Sequence, residues 1–509
     1  MKMKHPLALL SCLLLALAGC TTQIMPTATS QPPASNPTKS PSPTIELIAP
    51  VTATLSPSAT SSPQELLATP TSEPKADKLP HYTLYASLNY SLHNLRVEQQ
   101  IDYLNRSGDS LSELLLLVEP ARYPGVFQLD NLNWGDGSPV VDYSRDLGII
   151  QIPLESPLLP GEEIALSLTY TLDLPSPSPE YYGRPVPFGY SSRQINLVDW
   201  YPFIPPYIPG EGWLYHQAGP FGEHLVYEIA DFDVHIQIAD SNPNIVIAAS
   251  SIPETTEDGD HYRLESARNF SWSVSDQYVV SSTTIDSVEV FSYYFPINSA
   301  AGEAVLQTTA ESLELFNELF GPYPRQVLTV VEADFLDGME YDGLYFLSKG
   351  FYNLYTGSPA DYLTAIAAHE TAHQWWYAAV GNDQALEPWL DEALCTYSEH
   401  LYYEKLHPDS LTWWWTYRIN YYEPQGWVDG SIYNPLGYRA YRDAVYLNGA
   451  LFLDELRNTM GDDNFLDFLL AYSQKYFRQI VTGDDFFTTL VDYNPGDIEP
   501  LLDKFFQSR

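Results

Sequence analysis

The stretch AAHETAHQWW, residues 367–376, sets two histidines four positions apart with a glutamate directly after the first. On a helix, residues i and i+4 lie one turn apart on the same face, so His369 and His373 can converge on one cation. Glu370 falls just off that face, where a carboxylate can reach a water beside the cation without binding the cation itself. The flanks read as helix. Ser358 takes the N-cap, Pro359 the first helical position and Asp361 the first turn, and no breaker follows until Gly381.

A catalytic zinc needs a third protein ligand and an open position. EPWLDEALCTYSEHLYYEKL, residues 387–406, supplies a candidate. Pro388 starts a second helix there and His407-Pro408 ends it. Glu392 stands in its first turns, separated from His373 by eighteen residues, which is room for a turn and an antiparallel return. Ala367, Ala368 and Ala393 allow the two helices to approach closely. Glu399, two turns after Glu392, lies on the same face and can accept a bond from a ligand histidine.

His-Glu-x-x-His, eighteen residues, then Glu resembles the thermolysin-like zinc aminopeptidases of peptidase family M1, aminopeptidase N among them. HQWWYAAVGNDQALEPWLDEALCTY, residues 373–397, is similar to that family's passage from the zinc helix to the third-ligand helix. The resemblance implies His369, His373 and Glu392 as ligands of one Zn²⁺. It implies Glu370 as general base and Glu399 as the partner behind a ligand histidine. The family places a tyrosine in a Tyr-x-x-Gly setting to stabilise the oxyanion. YRDAVYLNG, residues 441–449, puts Tyr446 in that role, with Tyr441 five residues before.

The family also captures the substrate's free amine with Gly-x-Met-Glu-Asn on a strand edge. Here the segment is Asp337-Gly338-Met339-Glu340-Tyr341, so Gly338, Met339 and Glu340 form the implied substrate site and Glu340 the amine anchor. Asp337 replaces the first glycine and Tyr341 the asparagine. Gln194 is the counterpart considered for a glutamine that the family's β domain lends to the amine site. The resemblance spans residues 190–509, and the large helical domain that typical members carry after the catalytic domain is not found. A more open cleft then admits longer peptides, so a zinc endopeptidase stands beside the aminopeptidase reading. A surface-binding lipoprotein that keeps the zinc fold without turnover is the third.

The rest of the chain sets the context. Its 509 residues hold several domains, and the aromatic content of 14% suits tightly packed, β-rich folding. A formal charge of -41 excludes nucleic acid and anionic membrane surfaces as partners, since both require a basic face. Residues 1–19 read as a signal peptide, with Lys2 and Lys4 ahead of an apolar core from Leu7 to Ala18. Leu17-Ala18-Gly19-Cys20 resembles a bacterial lipobox, which implies lipidation of Cys20, an extracytoplasmic location and a membrane contact through lipid alone. Cys395 is then the only cysteine left outside the signal and the lipid site, so no intramolecular disulfide is expected. Residues 20–79, rich in Pro, Ser and Thr, read as a disordered tether. Residues 80–285 alternate apolar and polar positions between turn residues and read as an all-β sandwich or saddle domain. From 286 to 509 helices dominate after one strand, giving an α+β thermolysin-like peptidase domain. Peptides are the substrate class.

Overall fold

The computed structural model describes residues 78–176, 186–257 and 259–508, which belong to one compact unit. The expectations for the signal, Cys20 and the tether lie outside the described residues. An all-β first part precedes an α+β second part. The first is built on seven strands: β1 (His81–Asn89), β2 (Asn94–Leu104), β3 (Phe127–Trp134), β4 (Glu163–Asp173), β5 (Ala230–Ile238), β6 (Pro253–Thr256) and β7 (Gly259–Ala267). They form one sheet in the order β6-β7-β5-β1-β2-β4-β3. Strict alternation turns Tyr82, Leu84, Ala86 and Leu88 of β1 to the core, as period-2 patterning requires. Leu114, Ile152, Leu197 and Trp272, from two smaller sheets, share that core.

The second part is organised by a five-stranded sheet. Its strands are β8 (Val279–Ile285), β9 (Val288–Tyr294), β10 (Val327–Ala333), β11 (Gly338–Tyr341) and β12 (Leu344–Ser348), in the order β8-β9-β10-β12-β11. This sheet therefore begins ahead of residue 286, because the half-polar VVSSTTI of β8 serves as its edge. Every residue of β10 and β12 is buried. Both faces are covered, which is why these strands read as continuous apolar runs. Leu328, Val330, Tyr345 and Leu347 face the helical core, while Val331, Ala333, Leu344 and Phe346 face the β-domain core.

Four helices matter for the site: α1 (Ser299–Phe320), α2 (Tyr362–Ala372), α3 (Trp389–Leu406) and α4 (Gly449–Met460). The start of α2 differs from the sequence expectation. Asp361, not Ser358, is the N-cap, and its carboxylate accepts the Thr364 N–H at 3.0 Å. Ser358 instead takes the Ala360 N–H in a turn before the helix. The end differs too, since the helix stops at Ala372, with His373 as C-cap, well short of Gly381. The ring of His373 bonds the Trp376 carbonyl, and the chain turns there through Tyr377 at φ 141°. Helix α3 runs between Pro388 and His407, the two residues that bound it in the sequence reading. Gly449 lets α4 press on α3, since a Cβ there would lie 2.5 Å from that of Ala393.

Candidate active site

Helices α2 and α3 bring three donor groups together. Glu392 Oε2 lies 3.1 Å from His369 Nε2 and 3.6 Å from His373 Nε2. All three residues are buried. Each imidazole is oriented from behind. His373 Nδ1 is 3.0 Å from the Trp376 carbonyl, and His369 Nδ1 is 2.9 Å from Glu399 Oε1. A carbonyl and a carboxylate only accept, so both Nδ1 atoms carry protons, and each Nε2 is the atom left to bind a metal. Burial works against charge on these groups, yet their mutual hydrogen bonds hold Glu392 down to about 2 and His369 up to about 9. This field calls for positive charge between the three groups, and two imidazoles plus one carboxylate suit a single zinc ion with a position left open.

Glu399 is saturated. Its Oε1 accepts from His369 and from Arg418 Nη2 at 2.7 Å, and its Oε2 from Trp414 Nε1 at 2.8 Å and Arg418 Nε at 2.9 Å. The guanidinium beside it keeps this fully buried carboxyl below its ordinary range against the cost of burial. Trp414 and Arg418 come from LTWWWTYRIN, a segment to which the sequence reading gave no role.

Cys395 is also near, since the ligand atoms of His369, His373 and Cys395 lie within 4.8 Å of one another. Its Sγ, however, points at the same Trp376 carbonyl that His373 Nδ1 bonds, behind the ring, and it does not line the cavity. It is therefore not placed as a ligand.

Glu370 Oε2 is buried without a hydrogen-bond partner among the described residues. Burial, reinforced by Glu340 and Glu392 against the pull of the two histidines, pushes its carboxyl up to about 8. An acid that holds and releases a proton near neutral pH is what proton shuttling requires. The space for it is made by Gly338, where a Cβ would lie 2.0 Å from Glu370 Oε1.

Gly338 and Glu340 lie on one side of β11 and Met339 and Tyr341 on the other, because strand side chains alternate. Tyr341 accordingly packs into the β-domain core, its ring 6.0 Å from that of Phe346. Its departure from the family's asparagine leaves the Glu340 side untouched. Asp337 precedes the strand at φ 79°, a left-handed conformation natural for the glycine it replaces and one that aspartate also tolerates. Its carboxylate accepts from the Tyr438 hydroxyl at 2.9 Å. Gln374, next to His373, clamps the hairpin to α2 by donating to the Tyr341 carbonyl at 3.0 Å and accepting the Gly343 N–H at 2.9 Å. Glu340 Oε1 accepts from Gln384 at 2.8 Å, and the ligand atoms of Glu340, Glu370 and His373 lie within 4.8 Å of one another.

His369, His373, Glu392, Glu370, Gly338 and Glu340 line one cavity of about 620 Å³. Tyr446 enters it from the chain just before α4, and its hydroxyl donates to Glu392 Oε1 at 2.5 Å. Burial, with Glu392 next in effect, keeps this phenol protonated far above its ordinary range, so it is a donor. Tyr441 is buried behind it, its ring 5.8 Å from that of Tyr446. Phe351, Tyr362, Ile366 and Tyr422 supply apolar walls. Gln194 is not part of this site. Its amide donates to Tyr278 Oη and the Glu332 carbonyl and accepts the Asp334 N–H, joining the β domain to the end of β10. The β domain reaches the cavity instead through residues 220–223, with Phe221 and Glu223 in its lining.

A helix pair presents two histidines and a glutamate beside a buried acid, under an edge strand, a donor set that suits one zinc ion. Residues 304–505 match the peptidase family M1 domain. It is 27% identical over 251 residues to endoplasmic reticulum aminopeptidase 1 of Mus musculus, covering 46% of this chain and 27% of that protein. Over 238 residues it is 25% identical to aminopeptidase M1-B of Oryza sativa subsp. japonica, covering 44% of this chain and 27% of that one. The match thus spans about a quarter of the length of these curated relatives. Among solved structures, an M1 zinc metallopeptidase from Deinococcus radiodurans superposes with a TM-score of 0.62 at 18% identity, covering 84% of this chain and 93% of that one. A mutant of an M1 zinc metallopeptidase from the same organism, bound to a Tyr-Ser-Ala substrate, gives a TM-score of 0.59 at 19% identity, with 84% and 93% covered. These two likenesses concern the fold.

Proposed function

We propose that the chain is a zinc aminopeptidase that releases the first residue of peptides. The observation that carries this is the closeness of Glu340 to Glu370 and His373, whose ligand atoms lie within 4.8 Å of one another. An α-amine is about 2.5 Å from its own carbonyl carbon, by standard N–Cα and Cα–C bond lengths. A substrate anchored by its amine at Glu340 therefore presents its first peptide bond, and no later one, to Glu370. The aminopeptidase names of the relatives and the tripeptide on a neighbouring structure agree with this reading.

When bound, zinc acts as a Lewis acid that polarises the carbonyl and acidifies water. His369, His373 and Glu392 would hold it, with the two tautomers set by Glu399 and the Trp376 carbonyl. Glu340 holds the amine. Glu370 takes a proton from the attacking water and returns it to the leaving nitrogen. The Tyr446 hydroxyl donates to the oxygen on which charge develops. Residues 1–20 support the further reading of a lipid-anchored extracytoplasmic enzyme, tethered by residues 20–79. That part rests on the sequence alone, and Cys20→Ser releasing the protein from the membrane fraction would test it.

The decisive experiment is digestion of matched free and N-acetylated peptide libraries, with zinc content measured on the same preparation. Release of single N-terminal residues from free peptides is expected. Internal cleavage of both sets would indicate an endopeptidase, and one bound zinc without hydrolysis of either set would indicate a binding protein.

A further inference from the structure

Gln384 belongs to the stretch GNDQALEP between the two zinc-site helices, and the functional reading so far gives it no role. It is 4% exposed and its side-chain nitrogen lies between two buried carboxylates. It donates to Glu340 Oε1 at 2.8 Å and to Asp391 Oδ2 at 2.9 Å. Asp391 is fully buried in the first turn of α3, and its Oδ1 accepts the backbone N–H of Glu392 at 2.9 Å. An unbroken chain of hydrogen bonds thus runs from the amine anchor to the backbone of the third metal-ligating residue.

The turn that carries Gln384 is itself held. Asp383 Oδ1 accepts the N–H groups of Ala385 and Leu386, each at 3.1 Å, and Asp383 Oδ2 bonds His216 Nε2 of the β domain at 2.7 Å. The Ala385 carbonyl accepts the Ile432 N–H at 3.0 Å. The amide is presented from a fixed point, and both of its N–H groups are used. With Oε1 occupied, rotation of the Glu340 carboxylate is restrained. Its Oε2 has no hydrogen-bond partner among the described residues and belongs to a side chain that lines the cavity.

We propose that Gln384 is a positioning residue that sets substrate register, locking the Glu340 carboxylate to the helix that carries Glu392 so that the free α-amine of the residue bearing the scissile carbonyl is held in place. The proposal rests on the aminopeptidase reading and adds how this chain enforces it. Its substrate class is peptides and aminoacyl amides with an unmodified N-terminus. A methionine at this position keeps the length and bulk of the side chain but donates nothing. The Glu340 carboxylate then turns freely, and amine binding weakens without change at the water-activating end of the site.

The test compares wild type and Gln384→Met in the full chain on aminoacyl arylamides and on matched N-acetyl peptides. In the variant, KM for the free-amine substrates is expected to rise at least about tenfold with kcat within about threefold, the pattern of lost uniform binding. The preference for free over acetylated substrates should fall by the same factor, with one zinc per chain retained. Unchanged KM, or equal losses on both substrate sets, would overturn the proposal, the second because it is the mark of general disturbance. Should Gln384→Met fail to fold, Gln384→His, which keeps one N–H donor, must give a smaller rise in KM in the same direction, and an unchanged KM there also overturns it. A wild type inactive on every free-amine substrate would instead remove the aminopeptidase reading, so the two failures are distinguishable.

Discussion

Helix pair α2–α3 and hairpin β11–β12 meet at one cavity but encode their contributions differently. The helix pair works by spacing. One helical turn sets His369 above His373, and two turns set Glu392 above Glu399, so the donor set follows from positions along the chain. The hairpin works by surroundings. Glu340 is useful because Gln374 fixes its strand to α2, Gln384 fixes its carboxylate, and Gly338 leaves room for Glu370. Local pattern therefore places the candidate metal donors, while contacts across the fold place the proposed substrate anchor.

The comparison can be broken hardest on the helix side. Glu392→Ala should lower bound zinc from one per chain to nearly none and abolish turnover, as metal analysis of the purified variant will report. Glu370→Gln leaves the ligands intact, so zinc stays while kcat falls by about 10²–10⁴-fold, the usual share of a positioned base. A variant with zinc and normal kcat would remove Glu370 from that role.

Substitutions in the hairpin should act more gently and more selectively. Gly338→Ala puts a methyl group into the space of the Glu370 carboxylate, 2.0 Å from Oε1. Turnover should fall on the order of 10²-fold, the scale of a misplacement of about 1 Å, with the melting temperature little changed. Asp337→Gly restores the residue type of the family at a left-handed position. Its effect on stability should stay within about 1 kcal/mol in either direction, because relief at φ 79° is offset by greater freedom of the unfolded chain. Denaturant unfolding measures this, and a loss of several kcal/mol would show that the Asp337–Tyr438 bond is structural.

Legibility in the sequence followed the same division. Pro388 and His407 bound α3 as read, and Glu399 lies behind His369 as the two-turn spacing indicated. The start of α2 was misplaced because Ser358-Pro359 and Asp361 carry similar N-terminal signals, and the better cap was the carboxylate nearer the helix. Its early end could not be read, since AAHETAHQWW contains no breaker and the stop is imposed by the bond from His373 to the Trp376 carbonyl. Gln194 was misassigned because a buried glutamine joining two domains and one contacting a substrate look alike in a string of letters.

The sequence by itself determined the donor types, their spacing on two helices and the order of a β part before an α+β part, since these depend on periodicity of 3.6 and 2 along a local segment. Only the tertiary structure decided which buried oxygens are taken and which face the cavity. Arg418 and Trp414 saturate Glu399, Gln384 takes one oxygen of Glu340, and Glu370 Oε2 is left without a partner among the described residues. Hydrogen-bond partners separated by tens of residues leave no periodic trace, and a missing Cβ at Gly338 acquires meaning only when another helix lies against it.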